Sequence, residues 1–165
     1  MKILHIDCSP RPESHSRQLS AAIVKKLLEG APAARISRRD LGSCPLSHVS
    51  PDYATALSSP ATLAAPPRSA LDLSEALIRE VESADVIVIG APMHNLTVPS
   101  VLKAWIDQIL RAGRTFLSSP AGKRDCSGIV RCLSESLPVE SLLATKLTSP
   151  IFSRRIYRLY WAASG

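Results

Sequence analysis

The plainest structural signal in the sequence lies in residues 84–116, which read ADVIVIGAPMHNLTVPSVLKAWIDQILRAGRTF. Residues 86–89, VIVI, form an unbroken β-branched run, which is typical of a strand buried on both faces of a parallel sheet. After a loop, Pro99 occupies a favourable first position for a helix, and apolar side chains then recur every three or four residues until Gly113. The stretch predicts a central strand over residues 85–90 and an amphipathic helix that begins at Pro99.

Strand and helix patterns also alternate on the amino-terminal side of this stretch. Residues 2–7 have the apolar run of a strand, and residues 17–29 place Leu19, Ile23 and Leu27 at helical spacing. The remaining predicted elements are a weaker strand over 34–41, a surface excursion over 43–67 with one short helix near 53–57, and a helix over 72–84 that starts with a capping box of Asp72 and Glu75.

This alternation predicts an α/β fold with a doubly wound parallel sheet. Ligands of such sheets bind beyond the carboxyl ends of the strands, at the point where the strand order reverses. Two loops meet that description, residues 7–16 and residues 90–96. We therefore expect a functional site between them.

The first loop and its surroundings, residues 8–17, read CSPRPESHSR and offer hydroxyl groups. Ser9, Ser14 and Ser16 lie just before a predicted helix, where free N–H groups and the positive end of the helix dipole favour a phosphate. An equally open interpretation is that Ser14 or Ser16 merely caps the helix. We interpret Cys8 as a small, half-buried apolar residue rather than a catalytic thiol.

The second loop, residues 91–99, reads APMHNLTVP and joins the central strand to the amphipathic helix. Its backbone could receive a planar ring. Taken alone, however, His94 is typical of a hydrogen-bonded loop residue, and Met93 is typical of packing. The residues by themselves leave these alternatives open.

Together, residues 9–20, SPRPESHSRQLS, and residues 84–116 resemble the FMN-dependent NADH-azoreductases, also described as NADH:quinone oxidoreductases. The resemblance implies a flavodoxin-like fold. It also implies that the FMN phosphate is held by Ser9, Ser14, His15 and Ser16, and that the loop beside the isoalloxazine is Met93, His94, Asn95 and Leu96. The family commonly has Met-Tyr-Asn-Phe in that loop, so His94 and Leu96 depart from its pattern.

The activity that this resemblance implies is the reduction of quinones and aromatic azo compounds, with NADH or NADPH as the electron donor. The reaction would be a two-electron, ping-pong hydride transfer through bound FMN. Because the cofactor carries the chemistry, no side chain is predicted to be an obligatory acid or base. The resemblance further implies a homodimer with its sites at the subunit interface.

Composition limits the other classes of function. The chain has a net charge of +6, but residues 1–122 contain 13 Lys and Arg against 11 Asp and Glu, whereas residues 123–165 contain 7 against 3. The basic character is therefore concentrated at the carboxyl-terminal end, and we predict no nucleic-acid partner. The four cysteines have no zinc-site spacing, so we predict free thiols and no metal. The apolar runs are too short to cross a membrane and no secretory signal is recognisable, which predicts a cytoplasmic protein.

The resemblance ends near Lys123, where the family pattern requires further strands and a Gly-rich flavin loop. One permitted choice of codons, read from the third base of each codon after that point, restores a strand, a Gly-rich loop and a helix. We therefore predict a flavodoxin-like FMN-binding domain over residues 1–122, with the last two strands of its sheet missing or replaced. Residues 123–165 would form an out-of-frame tail.

Two alternatives follow from this break in the pattern. The chain could be an inactive, frameshifted product with weak or no FMN binding, whose strand over residues 86–89 has an unpaired apolar edge. The basic and aromatic residues 152–161 could instead form an amphipathic segment that binds a surface or membrane.

Overall fold

The computed structural model describes residues 1–66, 69–119 and 122–125. Over these residues the fold is an alternation of strands and helices. The elements, in chain order, are β1 (Lys2–Asp7), α1 (His15–Gly30), β2 (Arg35–Asp40), α2 (Pro51–Ala56), α3 (Pro60–Ala64), α4 (Asp72–Ser83), β3 (Val86–Gly90), α5 (Ser100–Ile109), β4 (Phe116–Ser119) and β5 (Gly122–Asp125).

Strands β1, β2 and β3 form a parallel sheet in the order β2-β1-β3. In its register, Asp7 of β1 lies opposite Asp40 of β2 on one side and Gly90 of β3 on the other. Since parallel strands end at the same edge, the three carboxyl ends lie side by side. The predicted α/β fold is confirmed, and the two loops of interest start from adjacent strands.

The sheet is covered on both faces, as alternation along β1 requires. Ile3 packs with Ile23 and Val24 of α1 on one face. Leu4 and Ile6 belong to a larger cluster on the other face, to which α4 and α5 contribute and which includes the buried Trp105. The helices therefore fix the sheet from both sides and hold its carboxyl edge in place.

Within the described ranges, β3 pairs with β1 and with no second strand. Strands β4 and β5 form a separate antiparallel pair. Apart from residues 123–125, the predicted tail over 123–165 lies outside the described residues, and so do Cys126 and Cys132. The boundary near Lys123 and the shift of reading frame remain predictions.

Two sequence predictions about helix ends were wrong. Asp72 does not cap α4, because the N-cap is Leu71 and no side-chain capping bond is formed there. The helix after the second loop ends at Ile109, before Gly113. Glu75, which was expected to complete the capping box, instead accepts from Arg111, in the segment that follows the end of α5.

An ion-pair cluster fastens this segment to α4. Buried Arg111 donates from Nη2 to Glu75 Oε2 at 2.5 Å and from Nη1 to Ser74 Oγ at 3.2 Å. Arg114 donates to both carboxylate oxygens of Glu82, at 2.5 and 2.8 Å. Hydrogen bonding from Arg111 lowers the pKa of Glu75 from its ordinary 4.5 to about 2.

We expect the free energy of unfolding to fall as the pH drops from about 4.5 to about 2. A carboxyl with a depressed pKa in the folded state contributes stability above its unfolded pKa, and this stability is lost as the pH falls through the folded pKa. Glu75→Gln should remove about 1 kcal/mol of this pH dependence after allowance for solvent screening, measured by urea unfolding at pH 6 and pH 3.

The matched control is Glu29→Gln, which removes an exposed ion pair with Lys26 at 2.7 Å. Such a surface pair contributes little, so its pH dependence should stay close to that of the unsubstituted chain. If both variants lost the same amount of the pH dependence of the free energy of unfolding, this would contradict a stabilising role for the cluster around Glu75.

Candidate functional site

The candidate site lies at the carboxyl edge of the sheet, where the loops after β1 and β3 begin next to each other. The Cys8 N–H donates to the Gly90 carbonyl at 2.8 Å, which extends the pairing of the two strands by one residue. Cys8 is fully buried, and burial raises the pKa of its thiol to about 12. The thiol is therefore protonated at neutral pH, which agrees with a packing residue rather than a nucleophile.

The first loop turns into α1 through a serine cap. Ser14 is the N-cap of α1, and its hydroxyl accepts the N–H of Arg17 at 3.4 Å. That hydroxyl also lies 3.3 Å from the hydroxyl of Ser16. Ser16 is buried and His15 is exposed. Three of the predicted residues, Ser14, His15 and Ser16, therefore lie together at the start of a 16-residue helix.

Ser9 stands at the start of the same loop. Its buried hydroxyl accepts the N–H of Arg11 at 3.2 Å, and the Arg11 carbonyl accepts the N–H of Ser14 at 3.2 Å. The loop is therefore folded back on itself between Ser9 and the helix cap. The capping interpretation of Ser14 is confirmed, and it is compatible with a phosphate site, because the other first-turn N–H groups of a helix have no acceptor within the helix.

Arg17 ties this loop to the end of β2. Its guanidinium donates to Asp40 Oδ1 at 2.6 Å and to the Ser9 carbonyl from Nε at 3.0 Å and from Nη2 at 2.6 Å. The hydrogen bond from Arg17 lowers the pKa of Asp40 to about 2. These residues were missed by sequence reasoning, because a single basic residue in a helix pattern gives no signal of a partner 23 positions away.

Two glycines permit the close packing of this edge. A Cβ atom on Gly42 would lie 2.1 Å from the Ser9 carbonyl oxygen, and one on Gly90 would lie 2.8 Å from the Ser16 carbonyl oxygen. Only glycine allows these backbone segments to approach so closely. The first loop, α1 and the ends of β2 and β3 thus form one packed unit.

A buried polar network supports the underside of the loop. His5 Nε2 lies 2.9 Å from the hydroxyl of Ser20, which donates to Asp7 Oδ1 at 3.0 Å. Although burial opposes it, contact with His5, Ser20 and Arg17 lowers the pKa of Asp7. His5 and Ser20 are both buried, so this Ser-His-Asp grouping has a supporting role rather than contact with a substrate.

The second loop contains a tight two-residue turn. His94 and Thr97 exchange two backbone hydrogen bonds, both 2.9 Å, and Asn95 and Leu96 between them have φ values of 49° and 63°. This is the backbone of a type I′ turn, which asparagine enters easily and leucine does not. Leu96 is 92% exposed and Met93 is 41% exposed, so the turn presents apolar side chains to solvent.

The predicted residues thus fall into two groups. Ser9, Ser14, His15 and Ser16 are gathered at the first loop. Met93, His94, Asn95 and Leu96 form a projecting turn after β3. The two groups start from hydrogen-bonded strand ends. No group of three or more His, Cys, Asp or Glu side chains is placed to hold a metal in the part of the chain that the structure describes.

The sheet order and the position of these loops define an α/β protein of the flavodoxin-like class. A sequence model of the family described as "Flavodoxin-like fold" matches residues 1–129, so the chain belongs to this family. The resemblance inferred from residues 9–20 and 84–116 is confirmed by the relatives described next.

Several curated relatives carry the name FMN-dependent NADH:quinone oxidoreductase. One from Bradyrhizobium diazoefficiens is 47% identical over 135 residues, covering 81% of this chain and 66% of the relative. One from Cupriavidus pinatubonensis is 46% identical over 124 residues, covering 74% of this chain and 60% of the relative. The chain therefore spans less than two thirds of the length of these relatives.

Solved structures agree on the fold. An azoreductase from Bacillus anthracis str. Sterne has a TM-score of 0.65 at 20% identity, with 99% of this chain and 86% of that chain covered. An FMN-dependent NADH-azoreductase from Bacillus anthracis str. Ames Ancestor, in complex with FMN, has a TM-score of 0.70 at 18% identity, with 99% and 69% covered. Nothing in these comparisons favours the alternative of an inactive product.

Gly42→Ala should destabilise the fold by about 2 kcal/mol, because the added methyl group meets the Ser9 backbone rather than a side chain that can move aside. Urea unfolding measures this change. Gly30→Ala is the control: Gly30 is an exposed residue of α1, where alanine should raise stability by up to about 1 kcal/mol. A neutral effect of Gly42→Ala would argue against the close approach of Ser9 to the end of β2.

Leu96→Gly should raise the free energy of unfolding by about 1 kcal/mol, because glycine adopts a positive φ without the steric cost that leucine bears. Thr97→Gly, one residue further along and outside the positive-φ pair, should lower it by about 0.5 kcal/mol. Thermal unfolding of both variants tests the turn, and destabilisation of similar size in both would show that Leu96 is not strained.

Proposed function

We propose that this chain is an FMN-dependent NAD(P)H oxidoreductase that reduces quinones and aromatic azo compounds by two-electron transfer. The observation that carries the proposal is the placement of a serine-lined helix N-terminus beside a projecting apolar turn, at one edge of the parallel sheet. The first feature suits a phosphate and the second suits the ring of the same flavin nucleotide.

The phosphate end of the cofactor fits the first loop. Helix α1 has 16 residues, and its aligned peptide dipoles favour negative charge at the N-terminus. The hydroxyls of Ser14 and Ser16, 3.3 Å apart, supply donors beside the free N–H groups of the first turn. Ser9 and His15 complete the set proposed to hold the phosphate.

The ring end of the cofactor fits the second loop. Met93 and Leu96 offer apolar surface, and Asn95 offers amide and backbone polar groups at the tip of the turn. The strained conformation of Leu96 supports this assignment, because such strain is concentrated at ligand-binding sites. His94 is proposed to lie beside the ring at the position where the family commonly has tyrosine.

FMN, when bound, supplies the hydride chemistry, with NADH or NADPH as the donor. The chain's own residues bind and orient the cofactor, and we assign no catalytic side chain. The protonated Cys8 thiol supports this division of roles, since the thiol beside the first loop is no nucleophile at neutral pH.

We also propose that the family homodimer forms around this site and that the enzyme works in the cytoplasm on small-molecule substrates, without a nucleic-acid or membrane partner. The exposed apolar side chains of Met93 and Leu96 support the dimer, because a second subunit would cover them together with the flavin. In the residues that the structure describes, no helix is both long and apolar enough to span a bilayer.

FMN fluorescence titration of the full chain tests the proposal, followed by NADH-dependent reduction of a benzoquinone with FMN added. Ser16→Ala should weaken FMN binding about tenfold, because it removes one hydrogen bond to a charged group. Ser83→Ala is the matched control: Ser83 is exposed at the end of α4, and its hydroxyl donates locally to the Glu80 carbonyl at 2.9 Å.

Stoichiometric FMN binding that Ser16→Ala weakens and Ser83→Ala preserves, together with quinone reduction, would support the proposal. A chain that binds no FMN and reduces no quinone would contradict the proposed function and favour the inactive, frameshifted product.

A further inference from the structure

Arg17 occupies a position where a cation is electrostatically unfavourable. It is the third residue of α1, and the first turn, residues 15–18 or HSRQ, contains no carboxylate. Helix N-termini favour negative charge, so a guanidinium there is opposed by the dipole unless other groups compensate. Compensation comes from outside the helix: Asp40 Oδ1 lies 2.6 Å from Nη2, and Asp7 Oδ2 lies 3.7 Å from Nη1.

The guanidinium also donates hydrogen bonds to the backbone of the first loop. Both Nε and Nη2 donate to the Ser9 carbonyl oxygen, at 3.0 and 2.6 Å. The next residue is Pro10, which has no N–H, so the peptide group between them has no donor of its own to fix its orientation. The side chain of Arg17 is only 16% exposed, which shows that it is packed into this contact.

Four residues then close a circuit of hydrogen bonds. The Arg17 side chain holds the Ser9 carbonyl, and the Ser9 hydroxyl accepts the N–H of Arg11. The Arg11 carbonyl accepts the N–H of Ser14, and the Ser14 hydroxyl accepts the N–H of Arg17. The circuit begins and ends on Arg17, so loss of its side chain opens the loop at the end where Ser9 is attached.

We infer that Arg17 is the positioning residue of the phosphate-binding loop. It acts without touching the cofactor: it holds the Ser9 carbonyl away from the phosphate and thereby keeps the serine hydroxyls and the first-turn N–H groups of α1 in a conformation that receives an anion. The inference rests on the proposed function for its ligand and on the hydrogen-bonded circuit for its mechanism.

A purely electrostatic role for Arg17 predicts a different effect of Asp40→Asn on FMN affinity. Arg17, Asp7 and Asp40 together carry a net charge of −1, so replacing Asp40 by a neutral residue would make the site more attractive to a phosphate. Positioning predicts the opposite sign, because Asp40 holds the guanidinium against the Ser9 carbonyl. Asp40→Asn therefore separates the two roles by the direction of its effect on FMN affinity.

The experiment compares FMN with riboflavin, which has the same ring and no phosphate, by fluorescence titration of the full chain. Arg17→Gln should weaken FMN binding about tenfold and leave riboflavin binding within about twofold, because the loss falls on the phosphate alone. Arg17→Lys, which keeps the charge but loses the planar fork in which Nε and Nη2 donate together, should weaken FMN binding by a smaller factor. Asp40→Asn should also weaken it.

Arg79→Gln is the control, since it removes an arginine that is 74% exposed and pairs with Glu75 within α4. It should change the affinity for neither flavin. Tighter FMN binding by Asp40→Asn, or equal losses of FMN and riboflavin affinity in Arg17→Gln, would overturn the positioning role.

Amide hydrogen exchange of the cofactor-free chain gives a second readout that does not depend on flavin binding. The N–H groups of Arg11 and Ser14 should exchange about tenfold faster in Arg17→Gln than in Arg79→Gln, because the circuit that protects them is open. Unchanged exchange would overturn the inference. If the unsubstituted chain binds neither flavin, the proposed function fails, and the exchange comparison still decides whether Arg17 fixes the loop.

Discussion

The structure depends on the parallel pairing of β1 with β2 and β3. This pairing sets Asp7, Asp40 and Gly90 opposite one another, so that three chain segments leave the sheet at one edge. Everything in the candidate site follows from this register, because a shift by one residue would turn each side chain to the other face. Because Gly42 and Gly90 have no Cβ atom, the backbones of these segments can lie in direct contact.

Two local conflicts of the fold lie at that edge. Arg17 sits against a helix dipole, and Leu96 has a positive φ that leucine avoids. Along β1, by contrast, the sequence and the fold agree, because its residues alternate between the two faces of the sheet. Departures of this kind are expected where a site must hold a ligand, since the rest of the structure supplies the stability that they cost. Both residues therefore support the assignment of this edge as the functional site.

Local patterns were enough to predict β3 and α1. A buried β-branched run and an apolar residue at every third or fourth position can both be recognised from residues close together in the sequence. The two loops were also predicted, because each directly follows the carboxyl end of a predicted strand. Arg17 with Asp40, and Arg111 with Glu75, were not, because each pair joins residues far apart in sequence. The second pair also engages Glu75, the residue that the sequence pattern had placed in a capping box.

We propose that the loops after β1 and β3 together receive one FMN molecule. The most direct test is a two-dimensional ¹H–¹⁵N spectrum of the full chain, titrated with FMN. We expect the largest shifts on the amides of Ser9, His15, Ser16 and Asn95. Shifts confined to the opposite edge of the sheet, around Lys2 and Arg35, or no shifts at all, would contradict it.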